Sequence, residues 1–379
     1  MKVTAGQEQL SHALRVAGRA VATRSPLPIT TNVLVLTEGE RLKVAATNLD
    51  IAISTWVDAA IAEPGAITLP ARLLSEFVDN LPPAPVDLTV KQGNNSAHLA
   101  SGRFQANIRG MSADDFPVIP TADEEPAATI DPTLLKEMIE QVAFATAADD
   151  TRPMLTGVLA TFSGPELTLA ATDGFRMAIR SGELTSASTG DFSIIIPGRT
   201  LSELARILPE GQTPVEMAVT PNRNQIVFRA PDLHVVSRLI EGTYPNVRQI
   251  VPTKFATKVV VSTGDLLKAT KTASFFSRDN SNAITLEIEP GGEAGVGNVV
   301  ITVGAAELGD DRGEVDAVVN GGSAKVQFNS RYVADVLGVL QSPQVGLELT
   351  GPNSAAVFRP IDSVDYTHVV MPMHTGATR

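Results

Sequence analysis

The chain has 379 residues, of which 43% are hydrophobic and 19% are charged, and its formal net charge at pH 7 is −12. This length exceeds one compact core and predicts two or three domains, and the composition excludes a chain that is disordered throughout. The absence of cysteine excludes disulfides, thiolate catalysis and metal sites built on sulfur. The acidic balance excludes a protein that coats nucleic acid with its whole surface.

Membrane and export signals are also missing from the sequence. No uninterrupted apolar run reaches the roughly 20 residues of a membrane helix, and the first ten residues lack the pattern of a secretion signal. We therefore expect a cytoplasmic protein.

The first predicted element is an amphipathic helix in the segment 7–24. At about 100° per residue, Leu10, Leu14 and Ala17 share one face, and Arg15 and Arg19 lie on the opposite one. The segments that follow alternate or cluster apolar residues between polar turns, as in "NVLVLTE", "LKVAAT", "IAISTWV" and "RFQANI", which predicts strands. A second predicted helix begins near Arg72.

The same pattern then returns twice along the chain. The stretch "ITLPARLLSEFVDNLP" reappears as "SIIIPGRTLSELARILP" and as "VQFNSRYVADVLGVLQS", so that Arg72, Arg199 and Arg331 are 127 and 132 residues apart. The other helix repeats at Leu10, Leu135 and Leu267 with spacings of 125 and 132. This period indicates three copies of one α+β unit, each with two helices and several antiparallel strands.

The boundaries between the copies fall in segments rich in proline and polar residues. "PTADEEPAATIDP" and "VPTKFATK" lie where the period requires a junction. We predict domains at 1–124, 125–253 and 254–379.

Positive charge is concentrated on the predicted helices. Their six segments sum to +3 in a chain of −12, which leaves −15 on the remainder. A solvated helix face is the usual explanation for exposed arginine. An arginine at the same helix start in three copies instead favours a shared basic surface.

The sequence contains no segment with the full pattern of a catalytic or metal-binding motif. The five histidines show no ligand spacing, "GGEAGVGN" lacks the features of a phosphate loop, and "LGDDRGEVD" lacks those of a calcium loop. "ATDGFRMA" places an Asp beside a Gly, but its repeat partner "ATNLDIAI" does not keep the pair and no nucleophile–base spacing accompanies it. We therefore expect neither an enzyme nor a cofactor.

These residues resemble a known family, the beta subunit of bacterial DNA polymerase III, or sliding clamp. The resemblance covers the whole chain and is carried by "ATDGFRMA", "EGTYPNVRQIVP" and the tail "YTHVVMPMH". It implies three clamp domains per chain and two chains joined head to tail in a ring, with helices around the hole and sheets outside. It also implies a processivity factor that encircles double-stranded DNA without reading its sequence.

The resemblance and the helix phase together predict which side chains face the DNA. A sliding contact needs phosphate-attracting charge without base readout, which suits exposed Arg and Lys. The predicted DNA-facing residues are Arg15, Arg19, Arg24, Arg72, Arg199, Arg206, Lys268, Lys271 and Arg331.

A dimer seam is predicted at the aromatic end of the last domain's first helix. Phe275 and Phe276 would lie there, and exposed aromatic residues are typical of interfaces. The resemblance places this end against the strand of the other chain that carries Phe104, Ala106 and Ile108.

The apolar tail near the end of the chain is predicted to wall a peptide pocket. The resemblance implies that this pocket binds short motifs of the polymerase III alpha subunit, the clamp loader delta subunit, other polymerases and repair proteins. Flexible methionines suit such varied partners, and Pro372 prevents an ordinary strand from continuing. The predicted pocket residues are Leu155, Thr172, Gly174, Phe175, Arg176, Met177, Pro245, Gln249, Ile250, Asn353, Ala355, Val369, Val370, Met371, Pro372, Met373 and His374.

The chain departs from the family in two pocket positions and at its end. Gln249 and His374 stand where the family commonly has Arg, and the chain continues through Thr375 to Arg379. Fewer positive charges predict weaker attraction for acidic peptide ends.

Two other functional classes were considered. A polymerase or nuclease needs clustered carboxylates for Mg²⁺, and the sequence shows no such cluster. A peptide-binding ring scaffold that does not act on DNA would share the pocket, but it would not require three basic helix starts.

Overall fold

A computed structural model of the chain describes residues 1–91, 93, 95–120, 125–278, 280–291, 296–305, 309–363 and 365–373. The helices are α1 (Gln7–Ala17), α2 (Ala71–Asp79), α3 (Pro132–Val142), α4 (Gly198–Ile207), α5 (Val247–Ile250), α6 (Thr263–Ser277) and α7 (Ser330–Val339). No helix within these ranges is both long and apolar enough to cross a lipid bilayer.

The strands alternate with the helices and form three groups that repeat along the chain. They are β1 (Lys2–Gly6), β2 (Asn32–Glu38), β3 (Arg41–Thr47), β4 (Ile51–Glu63), β5 (Ala66–Pro70), β6 (Pro85–Val90), β7 (Ser96–Ser101), β8 (Phe104–Arg109), β9 (Ala128–Ile130), β10 (Gly157–Ser163), β11 (Glu166–Thr172), β12 (Arg176–Glu183), β13 (Phe192–Pro197), β14 (Val215–Val219), β15 (Gln225–Ala230), β16 (Leu233–Arg238), β17 (Thr257–Ser262), β18 (Ala283–Glu289), β19 (Val296–Ala305), β20 (Gly309–Gly321), β21 (Ala324–Asn329), β22 (Gln344–Leu349), β23 (Ala356–Pro360) and β24 (Tyr366–Val370).

The chain packs as two compact units. Unit 1 comprises 1–136, 184–190 and 200–239, and unit 2 comprises 137–183, 191–199 and 240–379. Each unit contains one antiparallel sheet of twelve strands. The order in unit 1 is β8-β7-β6-β1-β4-β16-β15-β14-β9, with β3, β2 and β5 continuing from β4, and the order in unit 2 is β13-β10-β11-β12-β24-β23-β22-β17-β20-β19-β18-β21.

Helix α1 shows how the sequence pattern builds the core. Leu10, Leu14 and Ala17 are buried, and Arg15 is exposed on the other side, as the helical phase predicts. Burying each leucine contributes about 1.5–3 kcal/mol, which holds the helix against the sheet. The predicted helix extent was too long, because α1 ends at Ala17 and Gly18 opens a 3₁₀ turn. Glycine is a poor helix former, so the helix stops there.

Helices α2, α4 and α7 repeat one local design. Each follows a strand directly, and Arg72, Arg199 and Arg331 are the second residues of the three helices. In α7 the Asn329 side chain accepts a hydrogen bond from the Arg331 backbone N–H at 3.0 Å, which caps the helix start. The repeat found in the sequence therefore corresponds to a repeated strand–helix corner.

Candidate nucleic-acid interface and peptide groove

All nine predicted DNA-facing side chains are exposed in the structure. They lie on or next to five of the helices, except that Arg24 follows the 3₁₀ turn after α1 and is not helical. The exposed basic residues are Arg15, Arg19, Arg24, Arg72, Arg199, Arg206, Lys268, Lys271 and Arg331. Exposed Arg and Lys attract phosphates irrespective of base sequence. Arg72 is at the same time paired with Glu76 of its own helix at 2.7 Å.

Glu203, which no sequence motif indicates, connects two of these arginines. Glu203 on α4 accepts hydrogen bonds from Arg19 at 2.8 Å and from Arg206 at 2.9 Å, and its side chain is 16% exposed. Its carboxylate therefore offsets part of the positive charge at this surface and fixes both guanidinium groups. The Arg19 contact spans 184 residues of sequence, so no local pattern could reveal it.

A tight turn in unit 2 presents the candidate peptide groove. The Thr172 hydroxyl donates to the Arg176 carbonyl at 2.7 Å and accepts from the Gly174 N–H at 3.0 Å. The Asp173 carboxylate accepts from the N–H groups of Phe175 and Arg176, both at 2.9 Å. Gly174 has a φ of 94°, a left-handed conformation that suits glycine. The turn leaves the Phe175 ring 62% exposed at the groove.

Arg176 holds this turn from behind. Its guanidinium binds the Asp173 carboxylate at 3.1 Å and the Phe144 carbonyl at 2.7 Å, and it also pairs with Asp335 of α7. It stacks over the Tyr332 ring, with 4.5 Å from Cζ to the ring centroid. With its side chain only 11% exposed and its donors occupied, Arg176 supports the turn and does not present a free charge to a ligand.

The tail lies directly beside the turn and forms the adjoining wall. Met371 donates its backbone N–H to the Phe175 carbonyl at 2.8 Å, and Met373 donates to the Gln327 carbonyl, also at 2.8 Å. The regular strand ends at Val370, directly before Met371 and two residues before Pro372, which is buried. Met371 remains 39% exposed, so its flexible side chain faces outward beside Phe175.

The floor of the groove is an apolar cluster. Met177, Val247, Ala355 and Val369 are buried together, and Tyr244 packs against them. The Tyr244 hydroxyl accepts from the Thr172 N–H at 3.1 Å and donates to the Gly157 carbonyl at 3.2 Å. Burial raises the pKa of Tyr244 to about 12, so the hydroxyl stays protonated and able to donate. Tyr244 lies within the motif "EGTYPNVRQIVP" but was not among the predicted pocket residues.

The remaining predicted pocket residues divide into buried support and exposed rim. Leu155 and Val370 are buried, whereas Pro245, Gln249, Ile250 and Asn353 are exposed. His374 and the extension from Thr375 to Arg379 lie outside the described residues.

The candidate dimer seam involves two strand edges. Strand β4 pairs with β16 through Ile51–Thr55, and β12 pairs with β24 through Arg176–Arg180. In the third copy, β20 pairs with β17 only from Ala317 onward, so within the described chain its first half has one unpaired edge. Strand β8 pairs only with β7 among the described strands. The first half of β20 and strand β8 therefore each keep one unpaired edge among the described strands. The equivalent edges in the other repeats are paired.

The predicted aromatic seam residues differ in exposure. Phe104 is 53% exposed and Phe275 is 60% exposed, whereas Ile108 is 3% exposed. Ala106 and Phe276 are partly buried. A groove of about 700 Å³ lies beside the free half of β20, lined by Ala269 and Thr272 of α6 and by Gly313. The segment "LGDDRGEVD", which lacks the features of a calcium loop, was not predicted to be a strand, whereas its residues 309–316 form the first half of β20.

Comparison with known proteins places the chain in a family. The N-terminal, central and C-terminal domain profiles of the DNA polymerase III beta subunit match residues 1–120, 129–246 and 248–374. The beta sliding clamp of Synechococcus elongatus is 32% identical over 376 residues, covering 98% of this chain and 99% of that protein. The chain belongs to the beta sliding clamp family. The beta sliding clamp of Bacillus subtilis is 29% identical over 388 residues, covering 99% of this chain and all of that clamp.

Solved clamp structures share the whole fold. A DNA polymerase sliding clamp from Bacillus subtilis superimposes with a TM-score of 0.92 at 29% identity, covering 99% of both chains. The DNA polymerase III beta subunit from Pseudomonas aeruginosa gives a TM-score of 0.89 at 29% identity, covering 99% of this chain and 100% of that chain. The predicted fold class, three tandem clamp domains of mixed helix and sheet, is thereby confirmed.

Proposed function

We propose that this beta sliding clamp encircles double-stranded DNA as a homodimeric ring and tethers the replicative polymerase. Members of the family are non-catalytic processivity factors of DNA polymerase III, and this chain is one of them. The observation that carries the proposal is the arginine at the second position of α2, α4 and α7, exposed in all three copies of an otherwise acidic chain. Charge placed on the helices attracts phosphates there and leaves the acidic sheets to repel them.

The pairing of strands within the chain supports ring closure. Within the chain, β4 pairs with β16, and β12 pairs with β24. The free half of β20 is the equivalent of the paired parts of β4 and β12, and β8 is the equivalent of β16 and β24. Two chains can satisfy both edges by pairing β20 of each with β8 of the other. Such head-to-tail contacts give a closed ring when the rotation returns to the start.

The chemistry of the two edges is complementary. The segment that begins β20 carries Asp310, Asp311 and Glu314 and one cation, Arg312, which pairs with Glu314 at 3.0 Å. Arg103 precedes β8, and Arg109 is its last residue. If β8 repeats the register of β16, Phe104 faces Gly313 and enters the groove beside α6, where the absence of a side chain leaves room for the ring. The exposed Phe275 of the same helix would then be covered.

The groove between Phe175 and Met371 is proposed as the docking site for partner peptides. Its exposed Phe and Met rims above an apolar floor suit a short peptide with Leu or Phe anchors. The proposed partners are the polymerase III alpha subunit, the clamp loader delta subunit, other polymerases and repair proteins. We further propose domains at 1–124, 125–253 and 254–379, and action in the cytoplasm.

The test of the proposal is topological retention on DNA. The ring is loaded by a clamp loader onto a nicked circular plasmid and separated from free protein at high salt. We expect retention on the circle and rapid loss after a restriction enzyme linearises it, because a ring can slide off an end. Release from the circle at the same rate as from the linear form would contradict encirclement, and a scaffold that does not act on DNA predicts no loading.

A further inference from the structure

The turn that presents the groove of unit 2 has a close counterpart in unit 1. The Thr47 hydroxyl donates to the Ile51 carbonyl at 3.0 Å and accepts from the Leu49 N–H at 3.0 Å. The Asn48 side chain accepts from the N–H groups of Asp50 and Ile51, both at 3.0 Å. These four bonds match those made by Thr172 and Asp173, one for one.

The neighbouring strand is attached in the same way. Arg238 donates its backbone N–H to the Asp50 carbonyl at 2.9 Å, as Met371 does to Phe175 at 2.8 Å. Arg238 ends β16, and Met371 directly follows β24, which is the equivalent strand of the next copy. Unit 1 therefore repeats the backbone framework of the candidate peptide groove.

Leu49 is an unusual residue for this turn. It has a φ of 79°, close to the 94° of Gly174, although a branched side chain is unfavourable in that conformation. Its side chain is 50% exposed, so core packing does not explain why a leucine stands there. Strained backbone conformations are concentrated at ligand-binding sites, so an exposed apolar residue in this conformation indicates a ligand contact.

A small cavity with both apolar and polar lining residues lies beside this turn. It has a volume of about 80 Å³ and is lined by the turn, by Pro117–Pro120 and by Val236 and Arg238. Val118 is 93% exposed at its edge, and Ala52 and Val236 line it from the buried apolar cluster that they form with Val227. This is smaller than the ~150 Å³ cavity that accepts a benzene ring, so the space suits one branched aliphatic side chain.

A positive charge stands at the mouth of the cavity. The Arg238 side chain is 65% exposed, and its Nη1 lies 4.0 Å from the Asp50 carboxylate, too far for a hydrogen bond. An incoming carboxylate can therefore bind the guanidinium directly. The groove of unit 2 differs, because Arg176 has its donors occupied by the protein.

We propose that this cavity is a second peptide-docking site, which takes a short extended peptide with one Leu or Ile next to an acidic residue. The aliphatic side chain fills the cavity between Leu49 and Val118, and the acidic side chain pairs with Arg238. This site adds to the proposed function a second place where a partner is held, and it does not depend on the groove at Phe175.

The experiment uses a pentapeptide whose central photo-leucine is flanked by aspartates, incubated with the full-length ring and irradiated. A Phe175→Asp background removes crosslinking to the groove of unit 2. Adducts are then mapped by mass spectrometry in that background and in the same background with Val118→Asp or Arg238→Glu. A lysine-flanked peptide provides the charge control.

The expected result is an adduct on segments 47–52 or 117–120 that falls at least tenfold with Val118→Asp, with Arg238→Glu and with the lysine-flanked peptide. Val118 is almost fully exposed, so its replacement leaves the fold intact, which the dimer mass and melting temperature check. Adducts confined to other segments, or equal yields from all variants and both peptides, would overturn the proposal. Retention on circular DNA, measured on the same variants, separates this failure from failure of the clamp function.

Discussion

Arg19 and Glu203 are joined by a 2.8 Å contact between Nη1 and Oε2, although 184 residues separate them in sequence. Arg206 binds the other oxygen of the same carboxylate, so one acidic group restrains two arginines of the proposed DNA surface. The surface is therefore less positive than its arginine content indicates.

Glu203→Gln is expected to strengthen DNA retention. Loss of the carboxylate frees two guanidinium groups for phosphates, which should raise the affinity for DNA several-fold at low salt. The slope of the logarithm of affinity against the logarithm of salt concentration should become steeper by about one to two, because one to two more counterions are released. The measurement is the lifetime on circular DNA across a salt series. Glu63→Gln makes the same charge change on β4 and serves as control. An equal gain in both variants would show that only net charge matters.

Gly174→Ala is expected to destabilise the protein by about 1 kcal/mol, because the left-handed conformation disfavours a side chain. A Cβ there would also lie 3.0 Å from Nη2 of Arg152, which must move. Gly338→Ala is the matched control, since a Cβ meets nothing within 4 Å in α7 and alanine favours helix. Urea unfolding should show opposite signs for the two variants. A stabilising Gly174→Ala would refute the strain argument.

His368 gives the chain a pH-dependent stability. Burial lowers the pKa of His368 to about 3, with a further contribution from the Arg176 charge, whereas the ordinary value is 6.5. The folded state holds the neutral ring. The contribution of His368 to the free energy of unfolding is therefore fully present above about pH 6.5 and is lost as the pH falls toward 3. His368→Phe should flatten this dependence, as seen in unfolding free energies at pH 7.5 and 5.

The same substitution should leave the free energy of unfolding at neutral pH within about 1 kcal/mol of its original value, because a gain and a loss oppose each other. Nε2 of His368 is buried and has no hydrogen-bond partner among the described residues, and its ring stacks on Phe144 with centroids 5.5 Å apart. A phenylalanine keeps the stacking and removes the unpaired nitrogen, but it also deprives the buried Tyr366 hydroxyl of Nδ1 of His368, its partner at 3.4 Å. His98→Phe on β7 is the control, and equal flattening in both variants would contradict the assignment to His368.

Gln105→Cys combined with Arg312→Cys should lock the ring. If β8 pairs with β20 as β16 pairs with β4, these two residues face each other across the seam. The chain has no cysteine of its own, so mild oxidation can form only the engineered bond. We expect a covalent dimer on non-reducing gels that resists dilution to nanomolar concentration. The control pair, Gln105→Cys with Gly309→Cys, would face each other only if the strands paired in a different register. Preferential crosslinking of that pair would reject the proposed pairing.

Deletion of residues 371–379 should abolish peptide docking without preventing ring assembly. Met371 and Pro372 wall the groove, whereas the seam strands β8 and β20 lie elsewhere in the sequence. The readouts are dimer mass and anisotropy of a labelled polymerase-derived peptide, with Phe175→Asp as a full-length comparison. Undiminished peptide binding by the truncated ring would exclude the tail from the site.

The sequence by itself determined the repeat, the helices and strands, and the exposed arginines. These features depend on neighbours within a few residues, so the periods of 3.6 and 2 expose them, and the recurrence of Arg72 at Arg199 and Arg331 needs only comparison of one segment with another. Resemblance to the family then supplied Phe175 and the methionine tail as groove residues. Helix ends were less certain, as α1 shows, because a glycine can stop a helix or continue it.

Only the tertiary structure decided which of these residues act together. The pairing of Glu203 with Arg19, the support of Arg176 by Asp335 and the free edge of β20 all arise from chain segments far apart in sequence. Their contact depends on how whole strands and helices pack, and residue type alone does not fix it. The match between the turns at Leu49 and Gly174 is of the same kind, because their residues differ while their backbone hydrogen bonds coincide.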